Sequence, residues 1–207
     1  RQASSLAPQP DVNASSRLAL VMTTADGAMP IDGAALGGGS LAGILQFRDD
    51  DLAAVRMRVG QIAGALAGAM NEAQSAGLDA SGAAGSPMFQ TQSPAALAST
   101  SNAGRAQLSV TLADGTRLAA SDYEATFDGT NWAITRTADQ STAAAGATLP
   151  ATVDGLTISL ASGTAAAGDR FAIKSASVLA RDFAMVLSSP SRIAAASPVS
   201  AQTGSAN

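Results

Sequence analysis

The side chains that most often do chemistry in proteins are sparse in this sequence of 207 residues, which has no histidine and no cysteine. Histidine is the usual general base near neutral pH, while cysteine supplies thiolate nucleophiles and zinc ligands. Serine-histidine, cysteine-histidine and zinc chemistry are therefore excluded.

The acidic side chains are the remaining candidates for catalysis or cation binding. Residues 49–51 are three consecutive aspartates, but successive residues of a helix point about 100° apart and do not converge on one ion. Asp114, Asp128 and Asp154 each precede a glycine, which is typical of a turn in which the carboxylate bonds to nearby backbone. We predict no catalytic, cofactor-binding or metal-binding residues, no cofactor, and no enzymatic activity.

The charge balance gives no reason to expect a nucleic-acid partner. The chain carries 12 Lys and Arg against 16 Asp and Glu, for a formal net charge of -4, whereas nucleic-acid binding needs clustered basic surface. The first ten residues lack the apolar segment of a signal peptide, and a first residue Arg1 in place of Met predicts a fragment of a longer protein.

The most regular segment predicts a long helix over residues 41–76, following three glycines and Ser40, an expected N-cap. Large apolar residues recur there in alternating steps of three and four, and this helix seam consists of Leu52, Val55, Val59, Ile62 and Leu66. Such a repeat keeps its apolar residues on one face. We predict that the seam packs either in the core or against another subunit. If it is core, Ile62→Asp unfolds the α-helical part.

A second pattern within this helix places Gly60, Gly64 and Gly68 four residues apart. In lipid such a spacing favours helix dimerisation. The uncharged window between Arg58 and Glu72 is shorter than the ~20 residues that span a bilayer. We therefore predict no membrane insertion, and instead close packing of a neighbouring helix on the glycines.

Beyond a connector at residues 78–101, the hydrophobic period changes to two, and Asp-Gly pairs separate short alternating segments. These features predict antiparallel strands joined by hairpins, making a small β-sandwich or barrel domain over residues 91–175. Its expected core aromatics are Tyr123, Phe127, Trp132 and Phe171. Residues 138–147 are low in complexity and are expected to be a mobile loop.

The remaining segments complete an α+β prediction. Residues 1–16 are expected to be disordered or loop, residues 18–31 a hairpin, residues 178–196 short return helices, and residues 199–207 a disordered tail. The β domain would then be inserted into an α-rich domain of residues 17–90 and 176–198. Because both connections are poor in large apolar residues, limited proteolysis should release the β domain intact.

Several segments, in this order, resemble the family of flagellar hook-associated proteins that join hook to filament. The glycine-rich start of the long helix and its Phe-Arg-Asp are similar to that family, as are the end of this helix, the strand and turn residues, and the returning segment. These are residues 37–49, Ala69-Met70-Asn71, Gly77-Leu78-Asp79, Ser121-Asp122-Tyr123, Gly168-Asp169-Arg170-Phe171, Asp182 and residues 190–196. The glycine-rich start favours this family over filament-cap proteins.

The resemblance implies a structural protein of the bacterial flagellum, exported unfolded by the flagellar type III apparatus and located outside the cell. It would self-assemble with neighbouring subunits into a helical tube segment that contacts hook protein and a second junction protein. The β domain of residues 91–175 would face outward as a surface antigen. The family's terminal helices, which bind the export chaperone, are expected to lie outside residues 1–207, so this piece alone should be monomeric.

A different class of function also fits the sequence. The acidic composition and the strands rich in Ser, Thr and Ala are compatible with a secreted β-sandwich adhesin or surface module that binds a host glycan or protein. Specific saturable binding of the β domain to a glycan panel would favour that alternative.

Overall fold

The computed structural model describes residues 5–11, 14–24, 27–31 and 33–197. Three antiparallel strands come first: β1 (Ser5–Asp11), β2 (Ala14–Thr24) and β3 (Gly27–Ile31), with β2 in the middle. The hairpin expected over residues 18–31 is confirmed, with Leu20 opposite Ile31. The tail expected at 199–207 lies outside the described residues.

The expectation of loop or disorder over residues 1–16 is wrong for 5–11 and 14–16, which belong to β1 and β2. Pro8 and Pro10 of β1 suggested an irregular segment. However, β1 is an edge strand, where proline can be accommodated because one side of the strand donates to no ladder. Pairing with β2, for example Leu6 opposite Met22, defines the strand.

The long helix runs from α1 (Gly39–Gln46) through a π-helical turn (Phe47–Asp51) into α2 (Leu52–Ser75). It agrees with the expected 41–76 to within two residues at its start and one at its end. The N-cap is Gly38 at φ 133°, without a side-chain cap, so the expectation for Ser40 is wrong. The glycines here supply a backbone conformation that residues with a β-carbon adopt rarely.

Eight strands make up the β module, which we define as residues 95–174. They are β5 (Ala95–Ala98), β6 (Gln107–Leu112), β7 (Tyr123–Phe127), β8 (Trp132–Arg136), β9 (Thr142–Gly146), β10 (Ala151–Val153), β11 (Leu156–Ser162) and β12 (Arg170–Lys174). One sheet has the order β5-β12-β7-β8-β9 and the other β10-β11-β6, all antiparallel.

The expected mobile loop at residues 138–147 is wrong for 142–146, which form β9. This strand consists of threonine, alanine and glycine, so its sequence carries little hydrophobic alternation. Its backbone pairs with β8, with Trp132 opposite Gly146 and Ile134 opposite Ala144.

The return helices expected over residues 178–196 are wrong for most of their length. The structure has a four-residue helix α3 (Ala176–Leu179), a strand β13 (Ala184–Met185) and a 3-10 turn (Pro190–Arg192). Residues 184–185 are extended because they pair with β4 (Phe89–Gln90), which lies on the segment leading into the β module.

Candidate assembly interface

Helix α2 has two contrasting faces. One carries the seam: Leu52 is half-buried, whereas Val55, Val59, Ile62 and Leu66 are 56%, 50%, 66% and 45% exposed. Among the described residues, these four members of the seam therefore lie outside the core. Packing against another subunit stays a prediction.

The buried face of α2 is instead made of small residues: Gly60, Ala63, Gly64 and Ala67. This small-residue face contacts α3 and the 3-10 turn Gly115–Arg117. Small side chains let a helix approach another backbone closely. The close packing expected at the glycines is confirmed, with the neighbours being a short helix and a turn.

The exposed apolar surface continues onto α1 through Leu41, Ile44 and Phe47, which are 48%, 64% and 58% exposed. A π turn bonds residue i to residue i+5 and so holds about one residue more than an α-helical turn. This extra residue brings Phe47 and Leu52, five positions apart, close to one face. We call the exposed set Leu41, Ile44, Phe47, Val55, Val59, Ile62 and Leu66 the apolar stripe.

Charged groups also lie at the π turn. Arg48 pairs with Asp49 through Nε–Oδ1 and Nη2–Oδ2 distances of 2.6 and 2.9 Å. It also donates from Nη1 to the carbonyl of Leu18 in β2 at 3.1 Å. Arg48 therefore ties the first sheet to the long helix. Among the described residues, no group of three or more acidic side chains is placed to hold a metal ion.

The aromatic residues expected in the β-module core lie close together. Tyr123, Trp132 and Phe171 are buried, and Phe127 is half-buried against the same cluster. Ring centroids are 5.0 Å apart for Phe127–Trp132 and 5.7 Å for Trp132–Phe171. These distances are typical of packed aromatic pairs.

The turn aspartates bind local backbone and side-chain groups. Asp128 Oδ1 accepts from the amides of Thr130 and Asn131 at 2.7 and 2.6 Å, and these bonds hold its pKa below the usual value. Asp114 accepts from the amide and hydroxyl of Thr116, and the hydroxyl bond is the main cause of its lowered pKa.

Asp154 is the third turn aspartate and binds Arg136. The guanidinium donates to both carboxylate oxygens, at 2.7 and 2.9 Å, and it is the main cause of the lowered pKa of Asp154. All three carboxylates thus stabilise turns and strand ends, and this arrangement is structural.

Two further aspartates, Asp122 and Asp169, are buried, and no pattern in the sequence predicted what they bind. Asp169 accepts from the amides of Ala103, Gly104 and Ala166 at 2.9–3.2 Å, chiefly Ala166, and its pKa is lowered. Asp122 accepts from residues 174–177. A short-range spacing rule misses both, because most of their partners are distant in sequence.

A helix that exposes a long row of large apolar side chains, while its opposite face is covered, is typical of a subunit in a larger assembly. Within the described ranges, no helix combines the length and apolar character required to cross a bilayer. The fold and this surface are typical of a chain that packs against further protein.

Comparison with known proteins identifies the family. A model of the helical domain of flagellar hook-associated protein FlgK matches residues 1–89, and a model of the D2-like domain of flagellar hook-associated protein 1 matches residues 97–175. The chain is 37% identical to flagellar hook-associated protein 1 of Escherichia coli (strain K12) over 161 residues, which is 77% of this chain and 29% of that protein.

The corresponding protein of Salmonella typhimurium (strain LT2) is also 37% identical, over 162 residues, with the same shares covered. Among solved structures, the flagellar hook junction protein FlgK from Burkholderia pseudomallei matches with a TM-score of 0.84 and 31% identity. That match covers 94% of this chain and 37% of the other. The chain belongs to the flagellar hook-associated protein 1 family, and it spans less than a third of the length of the curated relatives it matches.

Proposed function

We propose that the chain is part of a structural protein of the bacterial flagellum that acts as an adaptor between hook and filament. The full-length protein assembles with neighbouring subunits into a short helical tube segment outside the cell. It acts through the contacts that it makes with other subunits, and it needs no catalytic residue or cofactor. Membership of the flagellar hook-associated protein 1 family supports its location in the flagellum.

The observation that carries the proposal is the exposed apolar stripe. Seven large apolar side chains along the long helix are exposed in the part of the chain that the structure describes, and an uncovered apolar row of this length is unfavourable in a free subunit. The stripe therefore packs against helices that lie outside this segment, in the same polypeptide or in a neighbouring subunit.

The proposed arrangement has two parts. Residues 17–90 and 176–198 belong to an α-rich domain built around the long helix, and residues 91–175 are an inserted β domain that faces outward and is accessible as a surface antigen. The separate family matches to residues 1–89 and 97–175 support this division.

The proposed partners are hook protein, a second junction protein and further copies of the same subunit. An export chaperone binds carboxy-terminal helices beyond residue 207, and the chain leaves the cell unfolded through the flagellar type III apparatus. A sequence without cysteine suits this route, because a threaded chain then carries no cross-links. Residues 1–207 alone are monomeric.

Immunogold electron microscopy of the source bacterium, with antibody against residues 1–207, tests the location. We expect gold at the hook-filament boundary, whereas gold spread over the cell surface would contradict the proposal and favour the adhesin alternative.

The role of the stripe is tested in the full-length gene. Ile62→Asp should abolish labelling at the boundary, because a charge on the stripe prevents its apolar packing. Thr130→Asp, on the exposed β7–β8 turn, is the matched control and should label normally.

A further inference from the structure

At Gly60 and Gly64 the backbone of α2 closely approaches the backbones of α3 and of the 3-10 turn Gly115–Arg117. A β-carbon built on Gly60 would lie 1.6 Å from the carbonyl oxygen of Ala176 in α3, and one built on Gly115 would lie 2.3 Å from the carbonyl oxygen of Gly64. Both distances are far shorter than any real contact. The backbones of α2, α3 and the 3-10 turn are therefore as close as glycine permits.

A directional bond adds to this packing. Gln61 Nε2, on α2, donates to the carbonyl of Leu118 at 2.7 Å. Leu118 follows the 3-10 turn and is buried in the module core. The helix is thus bonded to the module at the same place where their backbones touch.

Helix α3 is held in turn by Asp122, which directly precedes β7. Its Oδ1 accepts from the amides of Ser175 and Ser177 at 2.9 and 3.2 Å, and its Oδ2 accepts from Lys174 Nζ at 3.3 Å. These bonds stabilise the first turn of α3. The part of α3 that meets Gly60 is consequently fixed to the central strands of the module.

Two segments connect the β module to the rest of the chain: the incoming segment, which contains β4, and the outgoing segment, which contains β13. Both are bound near the C-terminal end of α2. Asn71 Oδ1 accepts from the amides of Met88 and Phe89 at 2.7 and 2.9 Å, and its Nδ2 donates to the Phe89 carbonyl at 2.8 Å. Both segments lie side by side here, because β4 pairs with β13 and Phe89 stacks on Phe183 at 5.1 Å.

Gln74 binds the incoming and the outgoing segment at once. Its Nε2 donates to the carbonyls of Ser86 and Arg192 at 3.3 and 3.2 Å, and its Oε1 accepts from the amide of Ala194 at 2.8 Å. From Gly60 to Gln74 these contacts extend about 21 Å along the helix. Separate contacts over such a length oppose both rotation of the β module about α2 and tilting of the module relative to the helix axis.

We propose that these contacts form a rigid joint that holds the β module at one orientation on α2, so that the helix and the module move as one body. The joint is a conformational device of the fold: a tilt of the helix is transmitted to the module. This inference does not depend on the proposed function, since it rests only on contacts within the chain.

Measuring the distance between two spin labels tests the joint directly. Because the sequence has no native cysteine, a thiol-reactive label attaches only to the two cysteines that are introduced. Ala54→Cys on α2 and Thr130→Cys on the β7–β8 turn are both at exposed positions. In the full 207-residue chain we expect a single narrow distance distribution. A broad or two-peaked distribution would overturn the proposal.

Glycine variants provide the matched comparison in the same labelled chain. Gly60→Ala should broaden the distribution at least two-fold, whereas Gly43→Ala, at a helical glycine with open space around its β-carbon position, should leave it unchanged. Fluorescence of Trp132 reports whether the module stays folded. If Gly60→Ala folds and the width of its distance distribution is unchanged, the proposal is also overturned. If Gly60→Ala does not fold, the width of the native distribution alone tests the proposal.

Discussion

Tyr123 donates its phenolic hydrogen to Asp154, with 2.6 Å between its oxygen and Oδ2. Arg136 binds the same carboxylate at both oxygens. Tyr123 begins β7, Arg136 ends β8, and Asp154 lies in the turn before β11. One carboxylate therefore joins the two sheets of the β module.

Replacing the tyrosine tests the contribution of this bond. Tyr123→Phe keeps the buried ring and removes the hydroxyl, so we expect a loss of about 1.5–3 kcal/mol in the free energy of unfolding, the usual range for a hydrogen bond to a charged group. Urea unfolding followed by Trp132 fluorescence measures the loss. Thr152→Val, at an exposed strand position, is the control and should change stability by less than about 0.5 kcal/mol. Equal losses in the two variants would contradict this assignment.

Asp154 contributes to the acid dependence of stability, together with the other aspartates whose pKa is lowered, such as Asp169. The pKa of Asp154 is lowered in the folded chain, mainly by the Arg136 hydrogen bonds, whereas an unfolded aspartate has a pKa of about 3.9. The unfolded state thus binds more protons in this range. The stabilisation is present above pH ~4 and is lost as pH falls through the lower folded value.

Unfolding midpoints between pH 2 and pH 7 measure this dependence. Asp154→Asn should flatten the acid limb of the profile, while Asp50→Asn, at an exposed position of the π turn, should leave that limb unchanged. A profile of Asp154→Asn as steep as that of the native chain would exclude Asp154 as a source of the acid sensitivity.

Two adjacent residues of α2 distinguish its faces. Ile62 is 66% exposed and Ala63 is 8% exposed. In residues 1–207, Ile62→Asp should keep the helical circular dichroism and shift the thermal midpoint little, in contrast to the expectation from the sequence. Ala63→Asp places an unpaired charge against the module and should lower stability by about 3 kcal/mol or more. Unfolding of Ile62→Asp would show that the stripe has a partner within this chain.

Limited proteolysis checks the connections to the β module. Their sequence suggests easy release, but Leu78 exchanges two backbone hydrogen bonds with Ala196. Asn71 binds the incoming segment, and Gln74 binds both segments. We expect subtilisin to degrade helix and module together. A stable module fragment from the native chain would contradict this prediction, and the double variant Asn71→Ala, Gln74→Ala should produce such a fragment.

The elements with strong periodicity could be predicted from the sequence. The three-four spacing of Leu52, Val55, Val59, Ile62 and Leu66 defined the helix, and the Asp-Gly turns separated the strands. The aromatic residues of the module were placed together because alternation assigns them to one side of a strand.

What could not be predicted is that this chain leaves the seam of α2 exposed. Hydrophobic periodicity identifies the face that has most to gain from burial but not the molecule that covers it, whereas the four-residue spacing of Gly60 and Gly64 did predict close packing on the other face. Strand β9 was missed for a similar reason: its alanines and threonine have little hydrophobic contrast, and only pairing with Trp132 and Ile134 reveals them.

The pairing of β4 with β13 also has an evolutionary consequence. The chain leaves the helix and comes back at the same place, so the segment between these two short strands can be lengthened or exchanged without redirecting the polypeptide on either side, provided that the small-residue face of α2 stays covered. Phe89 and Phe183, whose rings stack across this point, mark the natural boundaries for a gene-level graft. A lineage can therefore change its β module while retaining the helix against which that module packs.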